Sequence, residues 1–377
     1  MEIINVVVIG GLHHNTLGVI RSLGECKDAV INMKAIIITE DSGRTNIISS
    51  SRYIKTKDII YVTVGDDIVS YLKKIAEDDI FRVIICCSDE AAEVVISHRD
   101  DLKKHYATPS SKIQISSLMN KEVQTSIARR CGMHIPFGSI FQKSDVSEWN
   151  TFPCIIKPVS SIKGGGKKDI RVCHNREDFD QSLQTVESDT VQIQLLIDKD
   201  MEYQLIGCSL DAGAEILIPG YTRIIRQPPN TNTGYLVYSP ISHLQYDYDA
   251  VTKFVREIGY SGLFSIEFIR GEDNVDYFLE INMRNDGNAY CVKTAGINLP
   301  YIWCYYQMHH RIPNVPIEFH DPIWFIPDFA DMRLGIHEKG LIKWIYQFIK
   351  ADSHAIYNKR DLKPFVVKTF QLIRKII

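Results

Sequence analysis

The sequence holds no apolar run near the roughly 20 residues a membrane span requires, so stable membrane insertion is not expected. Its nine cysteines include no Cys-x-x-Cys pair. That spacing excludes the common zinc and redox frameworks and reads as buried, reduced thiols in a cytoplasmic protein. Cys86 and Cys87, adjacent within an apolar run, belong to a core. The net charge is only −3, which gives no bulk electrostatic reason to bind nucleic acid or an anionic membrane. The opening MEIINVVVIGG has an early Glu, no basic segment and no cleavage site, so it is not read as a signal peptide. Internal repeats and low-complexity tracts are also missing. What remains is an ordinary globular composition, 45% hydrophobic and 24% charged. A length of 377 residues suggests two or three domains.

The first ~110 residues alternate apolar strands with helical spacing. NVVVIGG, AIIITE and FRVIICC read as strands. NTLGVIRSLGE, DDIVSYLKKIAEDD and DEAAEVVISHRDDLKKH read as helices, the last acid-led and base-ended as the helix dipole prefers. Val- and Ile-rich strands separated by helices predict a parallel α/β sheet. Gly10-Gly11 followed by Gly18 does not make GxGxxG, which weighs against a nicotinamide cofactor. Further on, a helix is expected from near Asn120 to Gly132. FPCIIKPV, DIRVC and VQIQLLI read as strands, with NREDFDQSLQTVES helical between the last two. MEYQLIGCSL and EILIPGYTRIIRQ read as antiparallel pieces. The tail contains a helical KGLIKWIYQFIKA and ends in basic, apolar KPFVVKTFQLIRKII. That last segment either docks on the protein body or touches a membrane surface as a basic amphipathic helix.

The chemistry concentrates in FSIEFIRGEDNVDYFLEINMRNDGN, two apolar strands interrupted by polar residues. Pairing Arg270 with Val275 across the turn GEDN places Glu267 opposite Phe278. Alternation along the second strand then puts Phe278, Glu280 and Asn282 on that same face. Glu267, Glu280 and Asn282 would offer three oxygen ligands without Cys or His, a set suited to Mg2+ sharing phosphate oxygens. A polar face washed by solvent is the alternative. Upstream, Lys157 ends an apolar strand where an unpaired ammonium is costly. Gly164, Gly165 and Gly166 follow in a lysine-flanked run that lets backbone approach an anion closely. This is not a P-loop, since no GK[ST] opens a helix. A flexible surface hairpin explains the glycines alone equally well.

In this order the features resemble the ATP-grasp superfamily, and within it the carbamoyl-phosphate-synthetase-like carboxylate–amine ligases similar to D-aspartate ligase. MNKEVQTSIARRCGMHIP resembles the family's D-K…A…G-I-P-x-P entry segment, with Asn120 in place of Asp. IIKPVSSIKGGGKK is similar to its strand lysine and glycine lid. EFIR…YFLEINMRNDGN resembles the metal-binding hairpin, with E-[IM]-N-x-R as the specific signature. YTRIIRQPPNTNTG and RDLKPF resemble later segments of the same branch. The resemblance implies that Lys121 and Lys157 contact ATP phosphates and that Gly164, Gly165 and Gly166 close over them. It implies an adenine-contacting hinge at Leu195, Leu196 and Ile197 and a ribose ligand at Glu202. Glu267, Glu280 and Asn282 would hold one or two Mg2+ ions, and Arg284 would neutralise charge on a transferred phosphoryl group.

The fold expected from the resemblance is a Rossmann-like parallel α/β domain (1–112), then a two-lobed ATP-grasp domain with antiparallel sheets. Its lid lobe would be 113–195 and its metal-bearing lobe 196–312, with a C-terminal helical tail (313–377). The implied activity joins a carboxylate to an amine through an acyl phosphate, with an amino acid as one substrate and a setting in cell-wall or surface-polysaccharide modification. Arg223 and Arg226 are candidate carboxylate holders, against ordinary surface arginines. His13 and His14, after the first strand, are candidate substrate contacts, against a solvated turn. A bicarbonate-using carboxylase of the same architecture and a catalytically silent ATP-binding protein are the competing readings. Biotin-dependent relatives commonly carry Gln, Val, Glu and His after the metal-site arginine. Here Arg284 is followed by NDGN. Small-molecule acid and amine are the expected partners, and relatives of this kind often dimerise through the N-terminal domain.

Overall fold

The computed structural model describes residues 2–41, 45–65, 67–159, 169–228 and 233–376. Five parallel strands, β1 (Ile3–Gly11), β2 (Val30–Ile38), β3 (Ile59–Val62), β4 (Arg82–Cys86) and β5 (Tyr106–Ala107), form a sheet ordered β3-β2-β1-β4-β5. Val6, Val7, Val8 and Ile9 are all buried, because helices cover both faces of a parallel sheet. The acid-led helix expected from Asp89 to His105 is instead two pieces, Asp89–Ser97 and Arg99–Leu102. The break falls at His98, which leaves helical geometry and sets its own Nδ1 2.9 Å from the Val94 carbonyl.

A four-stranded antiparallel sheet follows, built from β6 (Gly138–Gln142), β7 (Cys154–Pro158), β8 (Arg171–Cys173) and β9 (Thr190–Leu195) in the order β6-β9-β7-β8. It has its own small core, in which Trp149, Ile156, Phe179 and Ile193 pack together. The helix feeding it, Lys121–Arg130, starts where the Asn120 side chain caps the Glu122 N–H at 2.8 Å. It stops at Gly132, whose φ of +103° suits glycine.

The third sheet has seven strands ordered β14-β13-β10-β11-β12-β15-β16. They are β10 (Lys199–Leu210), β11 (Glu215–Arg226), β12 (Tyr235–Pro240), β13 (Gly262–Gly271), β14 (Asp276–Asn282), β15 (Ile323–Ile326) and β16 (Ser353–His354). The fold is therefore mixed α/β, a parallel sheet followed by antiparallel ones. The C-terminal region is more than a helical tail. β15 joins β12 antiparallel and β16 joins β15 in parallel, because Phe325 and Ile326 complete the core at that edge. Among the described residues no helix is long and apolar enough to cross a membrane.

Two buried ion pairs tie this C-terminal region to both halves of the molecule. Arg21, in the helix after β1, places Nε 3.0 Å from Asp361 Oδ2, with both side chains at most 1% exposed. Ser51 Oγ and the Arg52 N–H also donate to the Asp361 carboxylate, at 2.8 and 2.9 Å. Arg226, at the end of β11, donates from Nε and Nη2 to Asp331 at 2.8 and 2.6 Å. Removing one member of such a pair strands a buried charge, whereas removing both does not. Asp361→Ala is therefore expected to cost about 3–5 kcal/mol in urea unfolding. Arg21→Met combined with Asp361→Leu should recover most of that loss.

Candidate active site

Three adjacent strands set the site. Gln204 on β10 lies opposite Glu267 on β13, and Glu267 lies opposite Glu280 on β14. Directly opposed residues share a face, so the three side chains form one row across the sheet. The register differs from the one expected. Phe278 pairs with Phe268, not Glu267, and a bulge between there and Glu280 inserts Leu279. The turn is closed by Gly271 N–H to Val275 O at 2.9 Å, with Asn274 at φ +61°. The bulge has a physical consequence. It turns Phe278 into the core against Phe254 and Phe268, while Glu280 stays on the carboxylate face. Glu267, Glu280 and Asn282 thus do converge, by a different route.

Each group in the row is held by its neighbours. Buried Glu267 accepts from Asn282 Nδ2 at 2.8 Å and from Gln204 Nε2 at 3.2 Å. Gln204 Oε1 accepts in turn from Asn288 Nδ2 at 2.8 Å. Glu280 meets Lys121 Nζ at 2.7 Å, and this carboxylate is the main reason the Lys121 pKa is raised. Arg284 donates through Nη2 to Asn282 Oδ1 at 3.0 Å and through Nε to Asp89 at 2.9 Å. Burial works against the Arg284 charge, but Asp89 and Asp286 outweigh it and its pKa is raised. Lys157 reaches across from β7, with Nζ 3.3 Å from Gln194 Oε1. Burial, then the nearby Lys121 charge, lowers its pKa to about 8, against the pull of Glu280, Glu202 and Glu267.

Two carboxylates and an amide, with no sulfur or imidazole, form an oxygen set that fits a hard divalent cation. Among the described residues no three His, Cys, Asp or Glu side chains converge elsewhere as a metal cluster. Glu202 sits on the neighbouring strand, accepting from Lys199 at 2.9 Å and from Gln227 at 3.0 Å. Leu195, Leu196 and Ile197 are half-buried where β9 ends. The Leu195 and Leu196 N–H groups bond to the Phe137 and Pro153 carbonyls. Gly164, Gly165 and Gly166 lie outside the described residues. Just after them in sequence, Asp169 accepts from the Glu187 and Ser188 N–H groups.

His13 and His14 lie at the C-terminal end of β1, as expected. The His13 ring accepts from the Asn15 N–H as helix cap, and the two rings sit 3.9 Å apart. A Cβ at Gly287 would come 3.1 Å from His14 Nε2, so the loop after Arg284 lies against this imidazole. Burial lowers both pKa values. Arg284 and then Lys368 add to this for His13, and the His13 charge adds for His14. Asn15 secures the junction by donating to the carbonyls of Cys87 at 2.9 Å and Asn285 at 2.7 Å.

The two arginines proposed as carboxylate holders are not at this site. Arg223 pairs with Tyr203, which pairs with Phe268, so it shares the sheet face opposite the carboxylates. Arg226 is buried and engaged by Asp331, with its guanidinium 5.0 Å over the Tyr235 ring. Sequence reasoning also missed Gln204, Asp89 and Asn288. Gln204 had a signal, a lone amide at the head of the apolar run Leu205–Cys208. Asp89 had none, because its contact with Arg284 spans 195 positions.

No family model matches the chain. It is 20% identical over 238 residues to D-aspartate ligase of Enterococcus faecium (strain Aus0004), covering 58% of this chain and 56% of the ligase. It is 24% identical over 296 residues to the 2-oxoglutarate carboxylase small subunit of Hydrogenobacter thermophilus, covering 70% of this chain and 58% of the subunit. The chain thus spans under six-tenths of the length of either curated relative. The biotin carboxylase domain dimer of that carboxylase was solved with MgADP, ADP and bicarbonate. It matches with a TM-score of 0.60 at 19% identity, over 84% of this chain and 73% of that one. The L-amino acid ligase of Bacillus licheniformis matches at 0.59 and 14% identity, over 82% and 75%.

Lys157 provides a direct check on the electrostatics. Its ammonium titrates near pH 8 when folded, against an ordinary value of 10.5. Between those values the unfolded chain binds more protons, so stability contributed by this group rises with pH across that window. The destabilisation is complete below about pH 8. NMR of 13C-methylated lysines should show one resonance titrating near pH 8 that Lys157→Arg removes. Glu280→Gln should move it lower still, because that carboxylate raises it. A midpoint above pH 10 would mean the ammonium is solvated.

Proposed function

We propose that this chain, an ATP-grasp protein by its fold, is an ATP-dependent ligase that joins a carboxylate to an amine. The observation that carries the reading is the row Gln204–Glu267–Glu280 with Lys121, Lys157 and Arg284 gathered at one end. That arrangement sets carboxylates to hold a cation beside ammonium groups that hold phosphate. Glu267, Glu280 and Asn282 would hold magnesium, which would supply positive charge beside the phosphates. Lys157 and Lys121 position the nucleotide phosphates, Glu202 the ribose, and the segment Leu195 to Ile197 the adenine. Gly164 to Gly166 would cover the phosphates and exclude water.

In the reaction the substrate carboxylate attacks the γ-phosphorus of ATP, giving an acyl phosphate and ADP. The amine then attacks the acyl carbon and phosphate leaves. Such transfers depend on positioning and charge neutralisation more than on a covalent protein nucleophile. Arg284, aimed by Asp89 and Asn282, supplies fixed positive charge where charge develops. Its preorganisation is why a single guanidinium carries a large share of the acceleration. His13 and His14 line the side of the site toward the parallel sheet, where the acid or amine would enter.

An amino acid is our choice for one substrate. The D-aspartate ligase likeness supports it. A setting in cell-wall or surface-polysaccharide modification, in the cytoplasm, completes the proposal from the sequence resemblance. The carboxylase reading has support from the second curated relative. Against it, Asn285, Asp286 and Asn288 follow Arg284 and are committed to structural bonds. Asn285 bonds with Asn15, Asp286 accepts from Ser265, and Asn288 donates to Gln204. The decisive assay measures phosphate released from Mg-ATP with pooled amino acids, sugar acids and amines. We expect release with particular pools only, reduced on the order of 10²–10³-fold in Arg284→Met and Glu280→Gln. Release stimulated by bicarbonate alone would favour the carboxylase. Absence of ATP binding would remove the proposal.

A further inference from the structure

We infer that the outward face of the helix Leu341–Lys350 is a docking surface for an anionic lipid bilayer, on which the helix lies flat. None of its residues is buried, although six of the ten are Leu, Ile, Trp or Phe. Ile342 is 84% exposed, Ile349 71% and Tyr346 63%, with Leu341 and Ile345 beside them. At 100° per residue these five occupy an arc of roughly 140°. Soluble proteins seldom leave such a stripe open without a use. The inner edge of the helix is fixed. Trp344 Nε1 donates to Asp331 at 2.9 Å, and the Phe348 ring packs 6.1 Å from that of Phe365. The open face therefore belongs to an anchored helix.

The charges identify the occupant. Lys339, Lys343 and Lys350 border the stripe, and no acidic residue occurs between Lys339 and Ala351. Lys350 Nζ reaches back to 6.0 Å over the Tyr346 ring. Protein interfaces are depleted of lysine around their apolar centre, whereas a lysine fringe beside Ile and Tyr suits anionic headgroups above acyl chains. The last helix, Lys363–Ile376, repeats the composition. Val366, Phe370 and Ile373 are exposed, and Lys363, Lys368 and Arg374 occur without an acidic residue. Its Phe365 stacks 5.0 Å from Phe329, so it docks by one edge and leaves another open. The net charge of −3 hid this local basic cluster. The inference does not rest on the ligase reading.

The test is flotation of the full chain with vesicles of phosphatidylcholine alone or mixed equally with phosphatidylglycerol. We expect binding to the mixed vesicles only, falling as salt is raised. Lys343→Gln with Lys350→Gln should weaken binding roughly thirtyfold, from about a factor of five per lysine. Ile342→Gln with Ile349→Gln should weaken it at least about tenfold. Both pairs are exposed, and circular dichroism and urea unfolding verify that the variants fold. Equal flotation with neutral vesicles, or none with either, overturns the inference. So does self-association in light scattering that the isoleucine variant abolishes while vesicles are ignored, since the face would then cover a second copy.

Discussion

Two carboxylates facing each other across neighbouring strands impose a requirement on everything around them. Unit charges about 4 Å apart repel by about 4 kcal/mol at an effective dielectric near 20. The Glu267–Glu280 row survives because positive charge and donors are supplied from several parts of the chain. Lys121 comes from the start of a helix, Asn282 from the same hairpin, Gln204 from the next strand, and Lys157 from the smaller sheet. Arg284 then needs its own counter-charge, and Asp89 brings it from the helix that follows β4. The site is thus the meeting point of all three sheets. Its electrostatic balance couples their positions.

The C-terminal region has a complementary role. Arg21 extends from the parallel sheet side and Arg226 from the seven-stranded sheet, and both are neutralised by residues beyond position 320. Within the C-terminal region itself, Asp328 sets an oxygen 2.9 Å from His354 Nδ1. Buried pairs of this kind add little net stability, but breaking one partner is costly. They fix the direction in which the halves meet. The junction where β1 ends against the Arg284–Gly287 loop is held by Asn15 and Asn285.

What the sequence revealed and what it hid follow from the range of the interactions. The parallel sheet was legible because Val and Ile runs separated by amphipathic helices have few other solutions. The carboxylate hairpin was legible because polar residues in apolar strands need a reason. The register was not, since nothing local announces that Leu279 bulges. Arg223 and Arg226 were misplaced for the same reason. Which face a strand residue occupies depends on pairing with β10, and the partner of Arg226 lies 105 positions away. The tail illustrates a different limit. Its composition allowed docking on the body or contact with lipid, and the helices pack one edge on the body and leave another exposed.

The bulge at Leu279 has a consequence for how this hairpin can change over descent. Parity along β14 is set twice, once by the turn and once by the extra residue. Loss of Leu279 alone would close the bulge and leave Phe278 opposite Phe268 and Glu280 opposite Glu267, because the two would then alternate directly. The pairing therefore tolerates a deletion at the bulge, while outward-facing identities remain open to drift. The hairpin is therefore constrained in which side chains face the carboxylate row more tightly than in its count of residues.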